Sequence, residues 1–304
     1  MTIDQWKELH YEVKPCEEDE LEYIENRLEE AESACLSAAS SVPEQDRVLK
    51  ITDSEGNLIA GIVAVIHGWG IAEPDLLWVD ERYRGQGMAS ALIQEAEVFF
   101  RENGCTLAVV ETFDFQARPL YERHGYSLCG TVDNFPKGHC KYYLKKRLDS
   151  SATECAFSDA WRKTGFEIQP GDERDADIIF DRILEHDVSE VQLPFEPEGE
   201  DGFYQLNRKI TDADGRLIAG CYGGVTGWGN LFFEIWVEEP FRNRGIGSYL
   251  LRELEREAKQ YAAYVALLAS VYDWQAGFLI KNGYRVSHVH EGGLRGRCVM
   301  RKEL

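Results

Sequence analysis

Two short stretches of this chain have the composition of an anion cradle. Arg84-Gly85-Gln86-Gly87-Met88-Ala89 and Arg242-Asn243-Arg244-Gly245-Ile246-Gly247 share one pattern: an arginine, two free positions, a glycine, one free position, then glycine or alanine. Small residues let a backbone approach a ligand closely. Each stretch follows Trp-Val, then Asp or Glu, then Glu, and each precedes an amphipathic run of helical period. A helix start offers free N–H groups and the positive end of the helix dipole, so the ligand expected there is an anion, a pyrophosphate above all. A lone glycine loop is equally what a tight strand-to-helix turn looks like. Its recurrence in the same context favours the ligand reading.

The elements that must position these loops can be read from period and punctuation. A helix is expected over 17–36, with Leu21, Ile24, Leu28, Ala31 and Cys35 at helical spacing. Strands over 46–53 and 58–66 join at Ser54-Glu55-Gly56-Asn57, where glycine supplies the turn. A Gly-Trp-Gly turn at 68–70 leads to a third strand, 75–79. The loop 80–87 opens a helix to Asn103, with Met88, Leu92, Ile93, Ala96, Phe99 and Phe100 as its buried stripe and Gly104 as its stop. A buried strand over 107–112, a short helix over 117–124, and a strand pair at 127–131 and 141–146 complete the unit. The fold expected is α/β, an α+β mixed sheet with helices packed on it.

The whole unit then recurs. ITDSEGNLIAG at 51–61 returns as ITDADGRLIAG at 210–220, and WVDERYRGQGMAS at 78–90 returns as WVEEPFRNRGIGS at 236–248. The first pair is offset by 159 residues (210 against 51) and the second by 158 (236 against 78), so one residue is gained or lost between them. A repeat this long means two copies of one domain. The domains expected are residues 2–148 and 164–304, joined by a polar linker at 149–163 that Phe157 and Trp161 could pin to a surface. The net charge of −21 argues against a nucleic-acid partner, which needs a basic footprint, and suits a cationic ligand. The acidic run from Glu17 to Glu32 reads first as a solvated helix face. The eight cysteines form no CxxC pair and no zinc spacing, so no metal is expected. With no signal pattern and no apolar run of membrane length, the expectation is a cytoplasmic protein without a membrane partner.

At these motifs the chain resembles the GCN5-related N-acetyltransferase (GNAT) superfamily, in both halves. A second family block stands downstream as Asp114-Phe115-Gln116-Ala117-Arg118-Pro119-Leu120-Tyr121-Glu122-Arg123-His124-Gly125-Tyr126. It departs from the usual form at Asp114, where Asn is common, and at Arg123 and Tyr126, where Lys and Phe are common. The resemblance implies two tandem acyl-CoA N-acyltransferase domains with acetyl-CoA as cofactor. It implies that the backbone of Leu77, Trp78 and Val79, and of Ile235, Trp236 and Val237 in the second copy, pairs with the pantetheine arm. N–H groups of Arg84, Gly85, Gln86, Gly87, Met88, Ala89 and Ser90 would hold the pyrophosphate, as would those of Arg242, Asn243, Arg244, Gly245, Ile246, Gly247 and Ser248. Asp114 falls among the coenzyme positions. Tyr121 would be the general acid that returns a proton to the departing thiolate.

The second copy reads Asp273-Trp274-Gln275-Ala276-Gly277-Phe278-Leu279-Ile280 and sets Ile280 at the position of Tyr121. Candidates for the base are Glu73, near the start of the third strand, and Glu111, whose counterpart reads as Ser270. Glu234, His67 and His139 are weaker candidates. The activity implied is transfer of an acetyl group to a primary amine on a small cationic molecule, with copy one the better catalyst. A sensor or scaffold that binds acyl-CoA with little turnover is the alternative, as is acetylation of a protein N-terminus or lysine. A homodimer is compatible with the sequence.

Overall fold

The computed structural model describes residues 13–36, 42–67, 70–149, 165–191, 203–271, 273–289 and 298–304. The expected linker lies outside the described residues except for Asp149, and so do Gly68 and Trp69 of the expected turn. The described chain opens with β1 (Val13–Pro15) and α1 (Glu18–Leu36). The first repeat follows as β2 (Gln45–Thr52), β3 (Leu58–His67), β4 (Ile71–Val79), α2 (Met88–Glu102), β5 (Leu107–Phe113), α3 (Arg118–Arg123), β6 (Ser127–Asp133) and β7 (Cys140–Arg147). A strand and helix then recur as β8 (Ile168–Pro170) and α4 (Glu173–Glu190). The second repeat comprises β9 (Phe203–Gln205), β10 (Arg208–Thr211), β11 (Leu217–Thr226), β12 (Asn230–Val237), α5 (Ile246–Ala258), β13 (Val265–Val271), α6 (Asp273–Lys281), β14 (Arg285–Val289) and β15 (Cys298–Glu303).

Two mixed sheets result. One runs β6-β7-β5-β4-β3-β2-β8; the other runs β1-β10-β11-β12-β13-β15-β14, with β9 also on β11. In each, among the described residues, a single parallel pair (β4 with β5, β12 with β13) sits among antiparallel ones. The expected stripe of α2 is buried at all six positions. With Ile59, Ile62, Ile66, Val110 and Leu144 it forms the first core, and Leu250, Leu251 and Leu254 of α5 do the same for the second. Strand β4 starts at Ile71, four residues before the expected start. Glu-Pro-Asp at 73–75 reads as loop by propensity, but pairing with β3 holds it in the sheet.

The residue gained between the repeats is a bulge. Opposite β3, Val63 pairs with Leu76 and Ala64 with Pro74, so Asp75 has no partner. The equivalent ladder, β11 with β12, runs from Ala219–Val237 to Val225–Leu231 without a shift. An extra residue in one strand kinks it and re-aims its side chains.

The two compact units are not the two halves of the sequence. One comprises Ala39–Gln192 with Glu291–Leu294; the other joins Met1–Ala38 to Leu193–His290 and Arg295–Leu304. The arm β8–α4 therefore belongs with the first sheet, and β1–α1 with the second. Glycine explains the seating. A Cβ on Gly61 would lie 2.3 Å from Ile179 Cδ1 of α4, and a Cβ on Gly220 would lie 2.1 Å from Ile24 Cδ1 of α1. These are the final glycines of the two copies of the ITD repeat. Each arm also carries a matching ion pair: Lys50 Nζ lies 2.7 Å from Asp175 Oδ2, and Lys209 pairs with Glu20. Asp172 and Asp175 form a capping box at the start of α4.

Candidate functional site

Both glycine loops close with the backbone turned over. Gly87 (φ 98°) and Gly245 (φ 91°) cap their helices in the left-handed region, and neither helix has a side-chain cap. Gly85 is at φ 77°, and Asn243 stands in the same place at φ 60°. Asparagine is one of the few residues that tolerate this conformation, so the turn survives the substitution. The first intrahelical bonds are Ala91 N–H to Gly87 O and Tyr249 N–H to Gly245 O. The earlier N–H groups of each helix are thus left to a ligand or to water. Met88 and Ile246 are buried and anchor the first turn. The arginine of each loop braces it: Arg84 Nε donates to Val79 O at 3.1 Å, and Arg242 Nε to Val237 O at 2.8 Å. Gly247 is small for a packing reason, since a Cβ there would lie 3.3 Å from Phe278.

Beside each loop the sheet splits. Among the described residues, strands β4 and β5 pair only at Ile71–Leu107 and Ala72–Ala108, and β12 and β13 only at Asn230–Val265 and Leu231–Ala266. Leu77, Trp78 and Val79 bond β3 on one edge; Ile235, Trp236 and Val237 bond β11. Their other edge forms no ladder among the described residues, so an extended polar chain could add there as a strand does. Trp236 is 3% exposed and packs against Ile24 and Leu28 of α1.

In the first-sheet unit the slot is lined by charge. His67 Nε2 is 3.2 Å from Glu73 Oε2. Burial pushes the Glu73 carboxyl above the usual range, and repulsion from Glu111 and Asp75 adds to this; the bond with His67 opposes it. Asp75 is raised by burial and then by Glu111. Because Asp75 is exposed, solvent screens it, and the shift on Glu73 has the larger chemical consequence. Glu111 forms an ion pair with Lys141. Tyr121 is 6% exposed. Its hydroxyl proton is held more tightly than usual, first by burial and then by the charges of Glu73 and Asp75. Tyr121, Glu73 and Glu111 therefore share one electrostatic neighbourhood, together with Asp75, which motif spacing did not single out. Among the described residues no group of three or more His, Cys, Asp or Glu is placed to hold a metal ion.

Asp114 and His139 are engaged elsewhere. Asp114 Oδ2 accepts the Cys140 N–H at 3.1 Å, and Oδ1 lies 2.9 Å from His139 Nδ1. Together they tie the end of β5 to the β6–β7 turn. Gln116 ties that same loop to α4: its Oε1 accepts from Phe113 N–H, and its Nε2 donates to Asp187 Oδ2 at 2.7 Å.

The second-sheet unit keeps the loop and the split but not the charge. One sequence match needs correcting. Tyr126 N–H bonds Tyr121 O, and Tyr284 N–H bonds Leu279 O, so Leu279, not Ile280, stands in the place of Tyr121. Ile280 is 56% exposed and matches Glu122. Val265 takes the place of Leu107 in the parallel pair, and a register shift between Leu268 and Val271 sets both Ala269 and Ser270 at the one position that Glu111 fills on β5. Ladder pairing matches Phe232 to Glu73, and the missing bulge removes Asp75. Glu234 is exposed on β12.

The description "Acetyltransferase (GNAT) family" matches residues 3–126, and "Acetyltransferase (GNAT) domain" matches residues 207–286. A blasticidin-S acetyltransferase of Streptomyces morookaense is 43% identical over 94 residues, 31% of this chain and 68% of the relative. An acetyltransferase of Agrobacterium fabrum is 31% identical over 106 residues, 34% of this chain and 76% of the relative. The crystal structure of an acetyltransferase from Bacillus cereus is 31% identical, covering 45% of this chain and 96% of that one, with a TM-score of 0.41. With two matched domains, each built on a split mixed sheet and a glycine-capped helix, the chain belongs to the GNAT acetyltransferase family and carries its domain twice.

Proposed function

We propose that the protein transfers the acetyl group of acetyl-CoA to a primary amine on a small cationic molecule, and that the first-sheet unit performs the chemistry. The observation that carries this reading is the meeting of Glu73 and Tyr121 at the open edge of β4, beside the uncapped start of α2. The site fits the coenzyme: free N–H groups of α2 suit the pyrophosphate, and the open edge of Leu77–Val79 suits the pantetheine amides. When bound, acetyl-CoA supplies the activated acetyl thioester. Glu73, its affinity for a proton raised, takes a proton from the incoming ammonium so that the amine can attack. Tyr121, kept protonated by its surroundings, stands ready to give its proton to the departing sulfur. Glu111, neutralised by Lys141, is the poorer base. The small-molecule acceptor is supported by the relative from S. morookaense, whose name says that it acts on blasticidin S.

For the second-sheet unit the specific observation favours binding without turnover. Phe232 and Leu279 stand where the first unit has Glu73 and Tyr121, and neither can move a proton. Thiol release from acetyl-CoA, measured across a panel of amines, tests the activity. Calorimetry on Gly87→Val and Gly245→Val, each in the full chain, tests the two coenzyme sites separately, since valine is strained at positive φ. Gly87→Val is expected to abolish turnover and one binding event, and Gly245→Val only the other binding event. The reverse ranking would move catalysis to the second-sheet unit.

A further inference from the structure

We infer that the acceptor carries a second positive charge that it keeps throughout the reaction, and that Asp75 selects for it. The inference rests on the acetyl-transfer reading above. A reacting ammonium gives up its proton before it attacks, so it ends neutral and can no longer answer a fixed carboxylate. Three carboxylates face one another here, Glu73, Asp75 and Glu111. Lys141 neutralises Glu111, and Glu73 is used for the proton. Asp75 is exposed and, among the described residues, has neither an ion pair nor a hydrogen bond. It is also the residue that the bulge adds, and the repeat without the bulge has Phe232 and Leu279 in the places of Glu73 and Tyr121.

A second observation places a ligand at this point. Tyr121 is more than nine-tenths buried, its hydroxyl forms no hydrogen bond among the described residues, and the charges acting on it are those of Glu73 and Asp75. The phenol and the two carboxylates thus converge on one space. An acceptor with its amine at Glu73 and Tyr121 brings its next few atoms past Asp75. A second ammonium or a guanidinium there would pair with that carboxylate, a guanidinium through two N–H groups.

The test compares butylamine with 1,4-diaminobutane and 4-guanidinobutylamine, with thiol release followed at saturating acetyl-CoA. The dications are expected to show about 5- to 10-fold higher kcat/KM, carried mainly by KM and narrowing as salt rises. Asp75→Asn should lower kcat/KM for the dications several-fold more than for butylamine, while Asp75→Glu restores part of the preference. Equal kcat/KM for mono- and dications, or an equal loss for both in Asp75→Asn, would overturn the inference and leave acetyl transfer standing. Acetyl-CoA binding without thiol release to any amine would overturn both.

Discussion

Glu73 holds a charge in a place that does not welcome it, and this is the source of its chemistry. An ordinary glutamate is half-protonated near pH 4.5. Burial and two neighbouring acids move Glu73 above that, toward the working range of a general base. The acid limb of kcat/KM should therefore lie clearly above pH 4.5, because the base form is lost as pH falls through the raised value. Glu73→Gln should abolish that limb and lower turnover by about 10²-fold or more. The same shift costs stability. At high pH the folded protein holds a buried charge that the unfolded chain keeps in water, whereas below pH 4.5 both states are protonated. Glu73→Gln should thus melt higher than the parent at pH 8, with the gain vanishing as pH falls. A melting temperature unchanged at pH 8 would mean that the carboxylate is well solvated. Tyr121→Phe keeps the ring and removes only the proton. It should reduce kcat by roughly 10- to 10³-fold with little change in coenzyme affinity, since a group acting in the transition state affects rate rather than binding.

At the scale of elements, the glycine loops were legible in the sequence because their chemistry is local. A positive φ favours glycine or asparagine wherever the strand came from, and Gly85, Gly87, Asn243 and Gly245 all follow this preference. The stripe of α2 was legible for the same reason, its period being a local property. Asp75 was not, because nothing in an acidic residue beside a proline announces a bulge. Its only trace was the one-residue change in repeat offset. The match of Ile280 to Tyr121 slipped because the shortened block could be aligned from either end, and only the backbone bond to Tyr284 decides which residue faces inward. The seat of α4 is testable here. Gly61→Val should drive side-chain atoms into Ile179 and cost about 1–3 kcal/mol. Ile179→Ala opens a gap and costs about 2–5 kcal/mol alone. If the two occupy one space, the double variant should lose at least about 1 kcal/mol less than the sum. Strict additivity in urea melts would show that α4 is not seated on Gly61.

For the whole molecule, the repeat in the sequence and the unit in space do not coincide. Periodicity tells that α1 and α4 are amphipathic but not which sheet each covers, and the chain-order domains 2–148 and 164–304 divide each sheet from the arm it packs with. Residues 39–192 contain β2–β7 with β8 and α4, a complete unit whose arm follows its sheet instead of preceding it. A fragment of residues 39–192 should therefore unfold cooperatively and bind acetyl-CoA through the α2 loop. A fragment of residues 2–148 includes the same catalytic residues but has the wrong arm. It lacks Ile179 over Gly61, Asp175 for Lys50 and Asp187 for Gln116, and so leaves the faces of β2–β4 and the loop before Tyr121 without their cover. It should melt at least 10 °C lower or associate, since losing several kcal/mol of packing from a domain this size moves the midpoint by that much. Adding residues 149–192 to it in the same chain, as a fragment of 2–192, should restore the melt, because only then is α4 present. If 2–148 is as stable and as competent for acetyl-CoA as 39–192, the arm is dispensable and the unit is the repeat after all.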